Sequence, residues 1–169
     1  MRPALKVAAI FTICAAPLAL GWLASAEHWR SGRTSNYGEL LAPRPLAGPL
    51  APLRGKWVLV TLDPAACGPH CERKLYIVRQ VRRAQGTNAQ RVERLWLLAD
   101  GGTPRAELVT ALAGSRIATA DGALASALAG DYIYLVDPLG NLMMRFPADP
   151  DGKRMIQDLE HLLKYSSYG

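Results

Sequence analysis

The chain has 169 residues, which is enough for one compact domain and a further segment. Hydrophobic residues make up 50% of the chain and charged residues 20%, which excludes a mainly disordered protein, and three cysteines exclude a disulfide-dense mini-protein. The formal net charge is +6, a mild excess whose position along the chain matters more than its size.

The N-terminus has the pattern of a membrane segment. Residues 7–26 contain no charged side chain and follow Arg2 and Lys6. A helix of this length, at ~1.5 Å per residue, spans roughly 30 Å, the thickness of a hydrocarbon core. Ala24-Ser25-Ala26 instead fits the end of a cleaved signal peptide. We favour the uncleaved anchor and assign residues 1–26 to a single-pass membrane helix or, as the alternative, a signal peptide.

A proline-rich arm follows over residues 27–52. Its four prolines are closely spaced, which prevents a helix and disfavours a central strand; they are Pro43, Pro45, Pro49 and Pro52. We expect a semi-extended arm that lies over a folded domain of residues 53–169.

Within that domain, strands and helices alternate. Apolar runs predict strands over residues 56–62, 92–98, 117–119, 132–136 and 141–146. Helical spacing and end signals predict helices over residues 71–85, 104–113 with Thr103 as N-cap, 122–128, and from near Asp151 onward. This order predicts an α/β fold, a layered sheet with helices on both faces.

The positive charge is concentrated between Glu72 and Arg94, where seven basic residues outnumber two acidic ones. We interpret this segment first as a solvated helix face. An acidic partner protein or an anionic membrane surface is the second interpretation. We expect no nucleic-acid partner, because no aromatic residues interleave with the basic ones as RNA stacking requires.

One motif carries chemical content, Cys67-Gly68-Pro69-His70-Cys71. It lies after a predicted buried strand and at the start of a predicted helix, where unpaired backbone N–H groups favour the thiolate form of cysteine. A spacing of one helical turn lets both sulfurs face one small site. The pair therefore suits either a reversible disulfide or a soft metal held by two thiolates.

These elements resemble the Sco/SenC family of membrane-anchored, thioredoxin-like proteins of cytochrome c oxidase assembly. The resemblance rests on the C-x-x-x-C motif between strand and helix, on Tyr134-Leu135-Val136-Asp137-Pro138-x-Gly140, and on the C-terminal amphipathic helix. It implies a thioredoxin-like central sheet flanked by helices, preceded by one N-terminal transmembrane helix. It also implies copper as a cofactor at Cys67 and Cys71, and a periplasmic domain on a bacterial-type inner membrane.

The chain departs from the family pattern at the third copper ligand. The family's histidine precedes the Tyr-Leu-Val-Asp-Pro strand, but Ala129-Gly130-Asp131 occupy that region here. His70, inside the motif, is the candidate substitute or a residue that acidifies the neighbouring thiols. The proline that thioredoxin oxidoreductases place before this strand is absent as well.

Three functions follow, in order of preference. The first is an assembly factor for a respiratory oxidase, partnered by an oxidase subunit or its assembly factors, that uses Cys67 and Cys71 as a redox pair on copper or on client thiols. The second is a general thiol–disulfide oxidoreductase. The third is a non-catalytic scaffold that docks through its basic helix.

Overall fold

The computed structural model describes residues 12–22 and 36–166. Residues 12–22 form a helix whose side chains are exposed. Over the described residues, no helix combines the length and the apolar character needed to cross a bilayer. The remainder of the predicted membrane segment, residues 7–11 and 23–26, lies outside the described part of the chain.

The chain divides into two compact units. The second unit begins at Asn36 and contains a six-stranded sheet. Its strands are β1 (Glu39–Pro45), β2 (Trp57–Asp63), β3 (Val92–Leu98), β4 (Arg116–Thr119), β5 (Tyr132–Val136) and β6 (Asn141–Pro147). The spatial order is β1-β6-β5-β2-β3-β4. Strands β2, β3 and β4 are parallel, whereas β5 runs antiparallel to β2, and β6 is antiparallel to both β5 and β1.

Four helices complete this unit: α1 (Pro69–Ala84), α2 (Ala106–Ala111), α3 (Gly122–Ala127) and α4 (Gly152–Tyr165). Two 3-10 helices, Gly48–Leu53 and Gly86–Arg91, precede β2 and β3. The predicted strands and helices are all present, and the mixed sheet flanked by helices is confirmed. Thr103 is not the N-cap of α2, because α2 begins at Ala106 and Arg105 holds the extended conformation that precedes it.

The central strand β2 is buried along its whole length, which explains its mostly apolar sequence. Side chains alternate between the two faces of the sheet. On one face, Leu59 packs with Val78 of α1 and Leu159 of α4. On the other, Val60 packs with Leu50 of the first 3-10 helix and Leu124 of α3. The first of these cores holds α1 against β2.

Residues 36–52 of the proline-rich arm contribute to this unit, and residues 27–35 lie outside the described part of the chain. Glu39 pairs with Arg145 across the antiparallel β1–β6 ladder, both in the backbone register and through a side-chain ion pair of 2.7 Å. Pro43 and Pro45 are tolerated in β1 because this strand lies at the sheet edge and has a neighbouring strand on one side only. Leu50 and Leu53 of the following 3-10 helix are buried. The compact unit therefore extends upstream of residue 53.

Candidate functional site

A disulfide joins Cys67 and Cys71 at the junction between β2 and α1, with a Cα–Cα distance of 5.2 Å. Cys71 lies in the first turn of α1, and Cys67 lies just before the N-cap Gly68. The helix begins at Pro69, whose fixed φ and missing N–H suit a first helical position. The structure thus brings the two predicted site cysteines together.

The loop that carries Cys67 is held by its neighbours. Asp100 Oδ1, after β3, accepts hydrogen bonds from the Ala65 and Gly102 amides at 3.0 and 3.1 Å. These bonds lower the pKa of Asp100. Cys67 has a φ of +36°, in the left-handed region that non-glycine residues seldom adopt. The loop conformation therefore depends on tertiary contacts as well as on local preference.

Both cysteines are buried, with exposed fractions of 0% for Cys67 and 5% for Cys71. They pack with Leu75 of α1 and with Trp96 and Leu98 of β3. The residues between them, from Gly68 to His70, are exposed. A partner would therefore approach the disulfide over the Gly-Pro-His bridge.

An ion pair lies beneath the start of α1. Lys74 is fully buried, and its Nζ lies 2.8 Å from Oδ1 of Asp63, the last residue of β2. The same ammonium donates to the Gly130 carbonyl, in the loop before β5. Burial raises the pKa of Asp63, while the hydrogen bond and charge of Lys74 partly offset the rise, and the charge of His70 does so to a smaller extent. Lys74 therefore ties together β2, α1 and the loop before β5.

Arg105 links the region before α2 to the cysteine motif. Its Nη2 donates to the Cys67 carbonyl at 3.1 Å and pairs with the Glu72 carboxylate on α1. An open cavity of about 390 Å³ lies alongside, between α1 and α2. It is lined by Pro69, Glu72, Arg73, Tyr76, Arg79, Leu108, Ala111 and Leu112.

Lys74 and Arg94 belong to the segment predicted to form a solvated basic face, and for these two residues the prediction is wrong. Both residues are buried, with exposed fractions of 0% and 5%. For Lys74 the signal was present in the sequence, because it precedes Val78 by four residues and so shares the apolar stripe of α1. Asp63 and Arg105 carried no comparable signal, since their partners lie far away in the sequence.

His70 is exposed on the first turn of α1, beside the disulfide. The described residues contain no group of three or more His, Cys, Asp or Glu side chains arranged to hold a metal ion. In the loop before β5, Gly130 turns its carbonyl to Lys74, and Ala129 and Asp131 supply no imidazole. Reduced Cys67 and Cys71 would supply two thiolates, the donors that Cu(I) prefers.

The fold is similar to several solved structures. ScoI of Bradyrhizobium japonicum with copper bound is 20% identical, with a TM-score of 0.52 over 65% of this chain and 87% of that one. The apo Sco1 protein from Thermus thermophilus is 17% identical, with a TM-score of 0.57 over 78% and 99% of the two chains. Yeast Sco1 with copper bound is 16% identical, with a TM-score of 0.57 over 80% and 96%.

A search of curated proteins finds no match to this chain. The model of one protein family matches residues 57–166, from the first residue of β2 to the end of α4 and the residue that follows it. Its description is of a thioredoxin-like domain, which agrees with the similarity in fold to the solved structures. The chain belongs to the family described as transmembrane-like, thioredoxin-like, C-terminal domain.

Proposed function

We propose that this protein is a Sco-type assembly factor for cytochrome c oxidase that acts by thiol–disulfide exchange at Cys67 and Cys71. The observation that carries the proposal is the disulfide between these residues, at the N-terminal end of α1 and directly after a buried strand. The similarity in fold to Sco structures supports the oxidase as the assembly that the protein serves.

The exchange begins when a client thiolate attacks one sulfur of the pair. The S–S bond breaks, and the other cysteine leaves as a thiolate. A second client thiol then displaces the first sulfur, so the client becomes a disulfide and the pair receives two electrons and two protons. The unpaired N–H groups of the first turn of α1 stabilise the thiolate that forms there.

A redox titration of the full-length protein tests this step. The native protein is equilibrated in glutathione buffers of graded potential, alkylated, and weighed by intact mass spectrometry. We expect Cys67 and Cys71 to become alkylated together as the buffer becomes more reducing. The Cys14→Ser variant is the matched control and should titrate as wild type, because Cys14 is a free cysteine outside the disulfide.

If the pair stays oxidised in the native protein even under strong reductant, the disulfide is structural and does not exchange with clients. That result would refute the exchange mechanism and favour the scaffold function. To test the oxidase as client, the Cys67→Ser and Cys71→Ser variants replace the wild type in the host membrane. The amount of assembled oxidase should fall, and an unchanged amount would argue for a different client.

Copper is the second candidate, as cargo of the reduced protein. Its support is that two of the similar structures contain bound copper. Cys67 and Cys71 would hold Cu(I) as thiolates, with His70 as the nearest imidazole in the sequence. We expect weaker retention of copper than in a protein with a third protein ligand. Copper stoichiometry measured against a competing chelator checks this, and His70→Ala shows whether the imidazole contributes.

We also propose that residues 7–26 anchor the domain on the periplasmic side of a bacterial-type inner membrane. The uncharged N-terminal run supports the anchor, and a disulfide suits an oxidising compartment. Alkaline phosphatase fused after Gly169 should be active if the domain is exported. A stable but inactive fusion would place the domain in the cytoplasm, and release by alkaline carbonate would contradict the anchor.

A further inference from the structure

Three arginines lie together where α1, β3 and the segment after α2 meet. Each donates to a backbone carbonyl: Arg79 Nη1 to Ala111 at 2.9 Å, Arg82 Nε to Val92 at 2.6 Å, and Arg94 Nη2 to Ala113 at 3.0 Å. We call these residues the arginine cluster. Their partners are neutral oxygens, so the hydrogen bonds hold the guanidinium groups in place without neutralising their charge.

The positions of these carbonyls bring the cluster together. Arg79 and Arg94 donate to carbonyls that are two residues apart at the C-terminal end of α2, those of Ala111 and Ala113. Arg82 donates to the carbonyl of Val92, two residues before Arg94 in β3. Burial lowers the pKa of Arg94 most, and the charges of Arg82 and then Arg79 lower it further. Three positive charges therefore share one small region.

Arg94 is the buried member of the cluster, with 5% of its surface exposed. Its Nε and Nη1 groups have no hydrogen-bond partner among the described residues. A buried cation with unpaired donors is costly unless an opposite charge compensates for it. An anion bound at the cluster would supply that opposite charge.

The described residues offer the cluster no carboxylate partner. Their four ion pairs join other residues. Glu93 precedes Arg94 in β3, so its side chain points to the opposite face of the sheet. Its charge raises the pKa of Arg94 by less than the charges of Arg82 and Arg79 lower it.

A cavity gives a ligand access to the cluster from the side of Arg79. Arg79 and Ala111 line the cavity of about 390 Å³ between α1 and α2. Arg79 and Arg82 are half-buried, so part of each side chain faces solvent. Arginine presents N–H groups in a planar fork that matches the oxygens of phosphate and holds its charge at all physiological pH values.

We propose that Arg79, Arg82 and Arg94 form a binding site for a phosphate-class oxyanion, supplied either as free phosphate or as the phosphodiester of a lipid headgroup. Arg79 and Arg82, which are partly exposed, contact the anion directly. Arg94, which is buried, attracts the anion through its charge. A phosphate group offers more acceptor oxygens to three guanidinium groups than a single carboxylate does. The site is independent of the redox state of Cys67 and Cys71.

The test uses the full-length protein in a neutral detergent. Its midpoint temperature of unfolding is measured against inorganic phosphate and, separately, dimethyl phosphate, each at an ionic strength matched with chloride. We expect a saturable rise with inorganic phosphate. A similar rise with dimethyl phosphate would assign the site to a headgroup-type phosphodiester, and its absence would assign it to free phosphate.

Arg79→Gln and Arg82→Gln remove charge but keep an amide donor, and each should lose most of this rise. Arg83→Gln is the matched control, because Arg83 is exposed on the same helix and outside the cluster. Arg83→Gln should respond as wild type. The proposal is overturned if neither anion gives a saturable rise, or if the three variants respond alike. Arg94→Gln is not needed for this test, so misfolding of that buried variant does not affect the outcome.

Discussion

At the scale of single residues, Asp63 and Lys74 form the buried ion pair among the described residues. Asp63 Oδ1 contacts Lys74 Nζ, but its Oδ2 has no hydrogen-bond partner among the described residues. Lys74 instead uses a further donor on the Gly130 carbonyl. The pair is therefore compensated in charge but only partly hydrogen-bonded, which makes the fold sensitive to removal of either partner.

Replacing Lys74 by methionine should destabilise the protein by about 3–5 kcal/mol, because the Asp63 carboxylate would remain buried without its partner. The free energy of unfolding in urea measures the effect. The double variant Asp63→Asn with Lys74→Met should recover much of the loss, since it removes both charges. Equal loss in the single and double variants would show that packing, rather than charge, explains the result.

The raised pKa of Asp63 predicts a pH dependence. As pH rises above the ordinary Asp value of 3.8, the unfolded chain releases this proton first, while the folded protein retains it up to its higher pKa. The free energy of unfolding of the wild type should therefore fall, relative to Asp63→Asn, across that interval. Urea unfolding of both proteins at several pH values checks this.

The comparison with Asp63→Asn isolates the effect of this one group. Asp100 and Glu39 have lowered pKa values and shift stability in the opposite direction, but both are present in the two proteins. If the free energy of unfolding of the wild type stays constant or rises relative to that of Asp63→Asn as pH rises, the raised pKa of Asp63 is contradicted.

At the scale of elements, α4 stabilises the core in which Leu59 of β2 packs with Val78 of α1. Its buried stripe, Met155, Leu159 and Leu163, packs on the same sheet face as α1. Asp151 caps its N-terminus by accepting from the Lys153 and Arg154 amides. The apolar stripe is buried, and the first amides of the helix have hydrogen-bond partners. Both features stabilise α4 as a helix.

Leu159→Ala should reduce the free energy of unfolding by about 2–5 kcal/mol, because it leaves a cavity between α4 and the sheet. Chemical denaturation measures the loss. Gln157→Ala is the control on the same helix, since Gln157 is exposed, and it should change stability by less than about 0.5 kcal/mol. A small effect of Leu159→Ala would mean that α4 contributes little to the core.

At the scale of the whole domain, residues 36–52 of the proline-rich arm are part of the folded unit. The β1–β6 ladder extends the sheet, and Leu46 and Leu50 enter the core on the face that carries α3. Asp158 of α4 accepts hydrogen bonds from the Tyr37 and Gly38 amides at 3.2 and 2.7 Å. These contacts tie the start of the unit to its last helix.

Residues 36–169 should therefore be more stable than residues 54–169. The shorter chain loses the burial of Leu46 and Leu50, worth about 1.5–3 kcal/mol for each side chain. It also exposes the edge of β6, so we expect self-association as well. Urea unfolding and light scattering of the two purified chains measure both effects. Equal stability would show that the segment only lies on the domain surface.

Local sequence determined most of the secondary structure. The apolar runs at Val92–Leu98 and Tyr132–Val136 predicted the bounds of β3 and β5 as they occur. Helical spacing located α4, and the cysteine motif lies where its position after β2 predicted. These features are recorded in residues that are close in sequence, so periodicity and turn residues suffice to find them.

Only the tertiary structure decided which charged residues are buried and what they contact. Lys74 meets a carboxylate eleven residues earlier and a carbonyl fifty-six residues later, and Arg94 meets a carbonyl nineteen residues later. The pairing of β1 with β6 joins residues still further apart, since Glu39 and Arg145 are separated by 106 residues. The cost of burying a charge depends on the groups that surround it in space, and those groups are set by the arrangement of the sheet and helices.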